Sequence, residues 1–263
     1  MTNLHIIKIG GNVIDNPAAL QRFLADFAAI TDLKILVHGG GKIASKLGEQ
    51  LGLQPNYVNG RRITDDATID LVTMVYGGLI NKQMVARLQA LHCNAIGLTG
   101  GDANAIPATK RPPKEVDYGW VGDIANNTLN TSALQLLLNN HLVPVFAPLT
   151  HDAQGHILNT NADTIASALS IALAPFYTVR LVYCFEKKGV LENVNDEHSV
   201  IPLINTEIYA QLLADNKLFE GILPKLENAF AAINQGVHQV LIGHADDILL
   251  NTSNTTTGTL ITH

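Results

Sequence analysis

Cysteine, tryptophan and charge are scarce in this sequence. Its 263 residues include one tryptophan and two cysteines, Cys93 and Cys184, and only 15% of the residues are charged. So few cysteines exclude a disulfide-stapled scaffold, and no basic start followed by an apolar run and a small-residue cleavage site resembles a secretory signal. We therefore expect a reduced, cytoplasmic protein.

Long apolar runs and an excess of basic residues are also missing. No run approaches the roughly 18 to 20 apolar residues that would span a bilayer, so we expect no membrane segment. The formal net charge is −6, which argues against binding to nucleic acid or to an anionic membrane surface. With 47% hydrophobic residues, the chain suffices for one large domain or two intimate lobes.

What is present is an alternation of short β-branched runs with amphipathic stretches. Helical spacing follows the first run at Leu20, Phe23 and Phe27, and a longer helical pattern covers about residues 66 to 91, with Gly77-Gly78 as a candidate break. This alternation predicts an α/β fold whose mainly parallel sheet is covered by helices on both faces. The predicted strands are residues 6–9, 33–37, 94–98, 143–147, 179–183 and 239–242.

Two glycine clusters directly follow the first two predicted strands. They are residues 8–11 (Lys-Ile-Gly-Gly) and 38–41 (His-Gly-Gly-Gly). Glycines at the carboxyl ends of neighbouring parallel strands let backbone N–H groups approach an anion, so the pair favours a phosphate site over glycines that only make tight turns. Neither cluster has the spacing of a P-loop or of a G-x-G-x-x-G fingerprint.

Later polar residues fit such a site. Arg62 could bind a planar carboxylate, although a solvated surface turn is the alternative for its segment. Asn159, Asn161 and Asp163 precede a helix of small residues, and we expect Asp163 to be its N-cap. Lys225 falls in the first turn of another predicted helix, where a cation opposes the helix dipole unless an anion lies in front of it.

Seven motifs, in order along the whole chain, resemble those of the acetylglutamate kinases in the amino-acid-kinase superfamily. The resemblance implies a three-layer αβα sandwich around a central, mainly parallel sheet, the carbamate-kinase-like fold. It implies one domain with two lobes, the first (about 1–175) binding acyl-glutamate and dimerising, the second (about 176–263) binding the nucleotide. The motifs begin at residues 8 (Lys-Ile-Gly-Gly), 37 (Val-His-Gly-Gly-Gly), 59 (Asn-Gly-x-Arg-x-Thr), 97 (Gly-Leu-Thr-Gly), 121 (Val-Gly-Asp), 159 (Asn-x-Asn-Ala-Asp) and 221 (Gly-x-x-Pro-Lys).

The activity that the resemblance implies is ATP-dependent phosphorylation of the side-chain carboxylate of N-acetyl-L-glutamate, the kinase step of arginine biosynthesis. Mg²⁺ would be held mainly by the nucleotide phosphates, and no protein ligand to a metal is expected. Because the accepting carboxylate is already ionised, the resemblance makes Asp163 an organiser of two lysines rather than a base. Carried over by position, the catalytic residues are Lys8, Asp163 and Lys225; the substrate-binding residues are Gly40, Gly41, Arg62 and Asn159; the backbone donors to phosphate are Gly10, Gly11 and Gly41; and the nucleotide-binding residues are Glu186, Gly189 and Gly221.

Departures from the family pattern leave alternatives open. Lys42 and Arg61 stand where proline and leucine are usual, and two extra cations could match a succinyl rather than an acetyl group. A catalytically silent ligand-binding member is the other alternative, against which the two phosphate lysines argue. Because the first predicted strand lies within a few residues of Met1, where arginine-inhibited hexamers carry an extra helix, we expect an arginine-insensitive homodimer.

Overall fold

The computed structural model describes residues 1–58, 60–125, 127–193, 195–215, 218 and 222–263, and the motif residues Asn59 and Gly221 lie outside these ranges. The strands are β1 (Asn3–Ile9), β2 (Leu33–His38), β3 (Tyr57–Val58), β4 (Arg61–Arg62), β5 (Ala95–Leu98), β6 (Thr109–Lys110), β7 (Gly122–Asp123), β8 (Val143–Phe146), β9 (Leu149–His151), β10 (Ile157–Asn159), β11 (Thr178–Phe185), β12 (Leu203–Ile204), β13 (Gln239–His244) and β14 (Thr259–Ile261). The helices are α1 (Gly11–Ile14), α2 (Pro17–Ala29), α3 (Gly41–Gln50), α4 (Asp66–Val72), a π-helix (Thr73–Ile80), α5 (Asn81–Ala90), α6 (Thr131–Asn139), α7 (Ala162–Leu173), α8 (Thr206–Ala214), α9 (Leu223–Asn234) and α10 (Ile248–Asn251), with 3₁₀ turns at Asp102–Asn104 and Ala245–Asp247.

Within the described residues, one eight-stranded sheet organises the chain in the order β12-β14-β13-β11-β1-β2-β8-β5. Every neighbouring pair is parallel except β13 with β14. β1 therefore lies in the middle of the sheet, between β2 and β11. The carboxyl ends of these strands meet at one edge, which is where open parallel sheets bind their ligands.

Hydrophobic side chains cover both faces of this sheet. Along β1, Leu4 and Ile6 pack in one core with helices α6, α7 and α9, whereas Ile7 and Ile9 pack in the other with α2, α4 and α5. The alternation follows from the two-residue period of a strand. The molecule is thus a three-layer αβα sandwich with a mainly parallel sheet, and the predicted fold class is confirmed.

The predicted strands all form, with ends that differ by up to three residues. The long helical pattern also forms, as α4, the π-helix and α5 in direct succession, so the candidate break at Gly77-Gly78 does not occur. The stretch that contains the two glycines is a π-helix, a geometry that is rare and often found beside functional sites.

The helix after Asn159 begins two residues earlier than we expected. Asn161, not Asp163, is the N-cap of α7, since its side-chain oxygen accepts hydrogen bonds from the N–H groups of Asp163 (2.8 Å) and Thr164 (3.1 Å). The prediction that Asp163 is the N-cap is therefore wrong. Asparagine is as good an N-cap as aspartate, and its use leaves the Asp163 carboxylate available for other contacts.

The two lobes expected from the sequence share one sheet, because β11, in the second lobe, pairs with β1 over six residues. In the described residues, none of the helices is both long and apolar enough to cross a membrane.

Candidate active site

The two glycine clusters lie side by side at the carboxyl edge of the sheet. In the pairing of β1 with β2, Ile9 lies opposite His38, so both clusters leave the sheet at the same level. The Gly39 N–H donates to the carbonyl of Ile9 (3.0 Å) and ties the two loops together. Gly40 is the N-cap of α3, so the positive end of that helix faces the same space.

Gly40 is the one position in these loops that only glycine can fill. Its φ is +151°, a conformation that residues with a Cβ rarely adopt, and a Cβ there would overlap the side chain of Ile80. A Cβ would also come within 3.1 Å of Tyr76, which belongs to the π-helix like Ile80. The π-helix therefore packs directly against the second glycine loop at Gly40.

Arg62 is held against this loop by a set of neutral acceptors. It is 8% exposed, and its Nη2 donates to the carbonyl of Gly41 (2.9 Å), to Ser45 Oγ (2.8 Å) and to the hydroxyl of Tyr57. These bonds engage Nη2 and leave the Nε–H and Nη1–H donors uncommitted to them. A buried arginine beside a helix N-terminus can bind a carboxylate through such remaining donors.

Asn159 lies on the opposite side of the same space and is linked to Arg62 through Thr64. Asn159 Nδ2 donates to Thr64 Oγ1 (3.1 Å), and that hydroxyl donates to the backbone carbonyl of Arg62 (3.2 Å). The Asn159 N–H also donates to the carbonyl of Trp120 (2.9 Å). These bonds fix the direction of an amide that can itself donate to, or accept from, a bound molecule.

Lys8, Asp163 and Lys225 meet at the carboxyl end of β1. Asp163 Oδ1 is 2.9 Å from Lys8 Nζ, and Asp163 Oδ2 is 3.9 Å from Lys225 Nζ. Lys8 comes from the end of β1, Asp163 from the first turn of α7 and Lys225 from the first turn of α9, so three separate elements bring the charges together. All three side chains are between 15% and 28% exposed, so solvent screens them only partly.

This group carries a net positive charge from two ammonium groups and one carboxylate. Lys225 Nζ also lies 5.1 Å from the centre of the Phe185 ring, which stabilises its charge from the other side. Burial raises the pKa of the nearby Cys184 thiol to about 12, although Lys8 opposes the shift. Because that thiol stays neutral, the excess positive charge remains available to an anion.

Two cavities lie beside the Lys8–Asp163–Lys225 group. The glycine-loop cavity, about 300 Å³, is bounded by Gly40, Arg62, Asn159 and Asp163 among others. The α2-side cavity, about 660 Å³, is bounded by α1 and α2 and by the ends of β11 and β13. Among the described residues, those that border both cavities are Lys8, Gly10, Gly11 and Gly41. In this part of the chain the shared border thus consists of a lysine and glycine backbones.

Glu186 and Gly189, both expected to bind the nucleotide, have different surroundings. Glu186 borders the α2-side cavity together with Lys225. Gly189 is buried, and a Cβ there would come within 2.6 Å of Thr259 Oγ1 and 2.8 Å of Val200, so its neighbours are packing residues. Gly221 lies outside the described residues.

Sequence reasoning missed several residues of the two cavities. Arg111 and Asp123 border the glycine-loop cavity as an ion pair, with Arg111 Nε 3.1 Å from both carboxylate oxygens. They meet because β6 pairs with β7. Asp123 belongs to the Val-Gly-Asp motif that begins at residue 121, but the sequence did not indicate Arg111 as its partner. His244 and Asp246 border the α2-side cavity at the end of β13. The rule that ligands bind at the carboxyl ends of parallel strands could have located these two.

Lys42 and Arg61, the two cations that depart from the family pattern, border different cavities. Lys42 donates from Nζ to Asn12 Oδ1 (2.6 Å), lies 3.8 Å from Asp15 Oδ2 and borders the α2-side cavity. Arg61 is exposed at the rim of the glycine-loop cavity. Lys42 and Arg61 therefore do not together form a site for a second carboxylate in the glycine-loop cavity.

The described residues contain no group of three or more His, Cys, Asp or Glu side chains arranged to hold a metal ion. Asp163, the acid beside the border of the two cavities, already lies between Lys8 and Lys225. A cation that enters with an anionic ligand would find its oxygen ligands chiefly on that ligand and on water.

Comparison with known proteins places this architecture in a family. A sequence model of the amino acid kinase family matches residues 3–244. The chain is 52% identical to the acetylglutamate kinase of Cytophaga hutchinsonii over 98% of both chains. Smu.665 of Streptococcus mutans UA159 has a TM-score of 0.76 and 28% identity over 98% of both chains. Carbamate kinase from Giardia lamblia bound to AMP-PNP has a TM-score of 0.72 over 99% of this chain and 98% of that one, and at 14% identity it shows the fold alone.

These matches agree with the fold described above. The protein has the fold of the carbamate-kinase-like enzymes. It belongs to the amino acid kinase family, as the sequence motifs predicted.

Proposed function

We propose that the protein transfers the γ-phosphoryl group of ATP to the side-chain carboxylate of N-acetyl-L-glutamate, giving N-acetyl-L-glutamyl 5-phosphate and ADP in arginine biosynthesis. The observation that carries the proposal is the Lys8–Asp163–Lys225 group beside the border of two cavities. The 52% identity to an acetylglutamate kinase over nearly the full chain supports the same substrate.

In this proposal the glycine-loop cavity binds the acyl-glutamate. Arg62 pairs with the α-carboxylate through Nε–H or Nη1–H, and Asn159 and the backbone of Gly40 bind the remaining polar groups. The side-chain carboxylate then points toward Lys8. Because Arg62 is buried and held by neutral acceptors, a bound carboxylate would not have to displace an acidic partner.

The α2-side cavity binds the phosphates of ATP, with Glu186 near the nucleoside end and Lys225 near the phosphates. Phosphoryl transfer between two anions requires positive charge and N–H donors around the equatorial oxygens. Lys8, Lys225 and the backbone of Gly10, Gly11 and Gly41 supply them. Mg²⁺ bound to the nucleotide would neutralise part of the phosphate charge and needs no dedicated protein ligand.

Asp163 orients the two lysines in this scheme and does not accept a proton. The nucleophilic carboxylate is ionised near neutral pH, so no base is required. The carboxylate of Asp163 reduces the repulsion between two ammonium groups that must approach the same phosphoryl group. Glu186 as a nucleotide contact, and the division into an acyl-glutamate lobe and a nucleotide lobe, belong to the same proposal.

We further propose a cytoplasmic homodimer. The exposed apolar side chains Met74 (59%) and Leu79 (41%) of the π-helix offer a surface for a second copy. Light scattering should then give twice the 28.3 kDa chain mass, with no response of activity to arginine. A hexamer, or inhibition by arginine at physiological concentration, would defeat this part of the proposal.

The function is tested by ADP release and by trapping the acyl phosphate with hydroxylamine. N-acetyl-L-glutamate, N-succinyl-L-glutamate and free L-glutamate are offered in parallel with ATP and Mg²⁺. We expect a hydroxamate with the acetyl substrate and none with free glutamate. A hydroxamate with the succinyl substrate alone would change the acyl group, and nucleotide binding without turnover of any of them would indicate a silent binding protein.

A further inference from the structure

His38, between β2 and the second glycine loop, is completely buried, an unusual place for an ionisable side chain. Its Nδ1 is 2.7 Å from the carbonyl oxygen of Gly39, and its Nε2 is 3.2 Å from Asn81 Nδ2. Asn81, the first residue of α5, also donates from Nδ2 to the carbonyl of Val145 (2.9 Å). The ring therefore links the glycine loop to the helix beneath it and to β8.

These contacts fix the proton on the ring. The carbonyl of Val145 can only accept, so the Asn81 amide must present its NH₂ group there and toward His38. Because this NH₂ group only donates, His38 Nε2 must be without a proton. The Gly39 carbonyl only accepts, so Nδ1 must carry the proton. Burial, which lowers the pKa of His38 to about 4, keeps the ring in this neutral form.

The Nδ1 proton controls the direction of one peptide group. The C=O and N–H of a trans peptide point in opposite directions. Since His38 draws the Gly39 carbonyl toward the interior, the N–H of Gly40 points the other way, toward the cavity that Gly39 and Gly40 border. Within the described residues, this N–H donates to no backbone carbonyl. Glycines on both sides of that peptide would otherwise allow it to rotate easily.

We infer that the His38–Asn81 pair is a positioning device that holds the Gly39–Gly40 peptide with its N–H directed at the bound substrate. Asn81 Oδ1 is buried without a hydrogen-bond partner among the described residues, a cost in stability that an apolar residue would avoid. The inference rests on the proposed function, because it assigns the Gly40 N–H to the acyl-glutamate or its transferred phosphoryl group.

The first test is the tautomer of His38 in the wild-type protein, measured by long-range ¹H–¹⁵N correlation of the histidine rings. The signal is assigned by its loss in His38→Asn. We expect Nδ1 to be protonated and Nε2 to be bare between pH 6 and about 8. A proton on Nε2 would overturn the inference, whether or not the protein turns over any acyl-glutamate.

The second test compares kcat in four variants. His38→Leu and Asn81→Leu should lower kcat by about tenfold or more, with KM for ATP changed less than about twofold. His38→Asn, whose amide nitrogen can take the place of Nδ1, should stay within about threefold of wild type. The matched control is His5→Leu, since His5 is also buried but lies at the opposite end of the sheet.

The outcomes separate the inference from the proposed function. Full activity in His38→Leu, or an equal loss of kcat in His5→Leu, would overturn the positioning role. If the leucine variants do not fold, the wild-type tautomer and the activity of His38→Asn decide. No activity of the wild-type protein with any acyl-glutamate would remove the proposed function, and the tautomer measurement would still test the geometry.

Discussion

At Asp163 a single carboxylate serves two ammonium groups that come from different parts of the chain. It is 2.9 Å from Lys8 Nζ and 3.9 Å from Lys225 Nζ. Without its charge the lysines would repel each other and lose their common orientation. A role in alignment therefore predicts a loss in the rate of transfer rather than in binding of the acyl-glutamate.

Asp163→Asn should lower kcat about 100-fold and leave KM for N-acetyl-L-glutamate within about threefold of wild type. Steady-state hydroxamate formation measures both constants. The matched control is Asp152→Asn, which removes a carboxylate paired with His156 (2.7 Å) and should not alter turnover. A kcat within about twofold of wild type in Asp163→Asn would contradict the alignment role.

Arg62 carries the second residue-scale prediction. A lysine cannot reproduce the planar fork of a guanidinium, so Arg62→Lys should raise KM for N-acetyl-L-glutamate at least about tenfold, with a smaller change in kcat. Arg87→Lys, at an exposed position of α5 that borders neither cavity, is the control and should leave both constants unchanged. Equal effects at the two positions would show that Arg62 is not the carboxylate ligand.

At the scale of elements, the π-helix and the second glycine loop form one unit. Tyr76 and Ile80 support Gly40 from below, and Asn81, at the start of α5, reaches His38. Tyr76 and Ile80 flank Gly77-Gly78 within one unbroken π-helix. The shape of the loop thus depends on an element that the sequence pattern presents as an ordinary amphipathic helix.

Gly40→Ala tests this unit against Gly52→Ala. Both glycines have positive φ, but a Cβ at Gly52 would meet nothing within 4 Å, whereas one at Gly40 would overlap Ile80. We expect Gly52→Ala to lower the free energy of unfolding by about 1 kcal/mol. Gly40→Ala should lower it by about 1–3 kcal/mol more because of the overlap and because the φ of +151° at Gly40 lies farther from the left-handed region than the φ of +79° at Gly52. Equal losses in urea unfolding would mean that the π-helix does not support the loop.

The elements also show how far the sequence alone could lead. The six strands and the two glycine loops could be predicted because buried strands and glycine turns each have a local sequence pattern. The N-cap of α7 was assigned to the wrong residue because Asn161 and Asp163 have similar capping propensity. Asp123 lies in a motif that the sequence shows, but its pairing with Arg111 could not be predicted, since that contact depends on the pairing of β6 with β7.

At the scale of the whole molecule, the buried histidine couples folding to pH. The pKa of His38 is lowered by burial from 6.5 to about 4, so the unfolded chain binds a proton that the native state excludes. This group therefore contributes stability that is present above pH 6.5 and is lost as the pH falls toward 4, in total about 3 kcal/mol. Burial also lowers the pKa of His5, which adds a loss of the same sign.

Urea unfolding between pH 4 and 7 measures this coupling. The free energy of unfolding of the wild-type protein should fall more steeply with decreasing pH than that of His38→Asn, which lacks the titrating ring. The difference between the two proteins should grow smaller as the pH drops. Parallel pH profiles would mean that His38 binds its proton over the same pH range in the native and the unfolded state, and would contradict the lowered pKa of the buried ring.

The central claim for the whole molecule is that the phosphoryl group passes directly to the side-chain carboxylate of the acyl-glutamate. The most direct measurement uses N-acetyl-L-glutamate labelled with ¹⁸O in that carboxylate, with ATP, Mg²⁺ and hydroxylamine. Hydroxylamine attacks the acyl carbon, so the released phosphate keeps the oxygen that joined it to the substrate. We predict phosphate carrying one ¹⁸O atom by mass spectrometry; unlabelled phosphate would mean that water, and not the carboxylate, accepts the phosphoryl group.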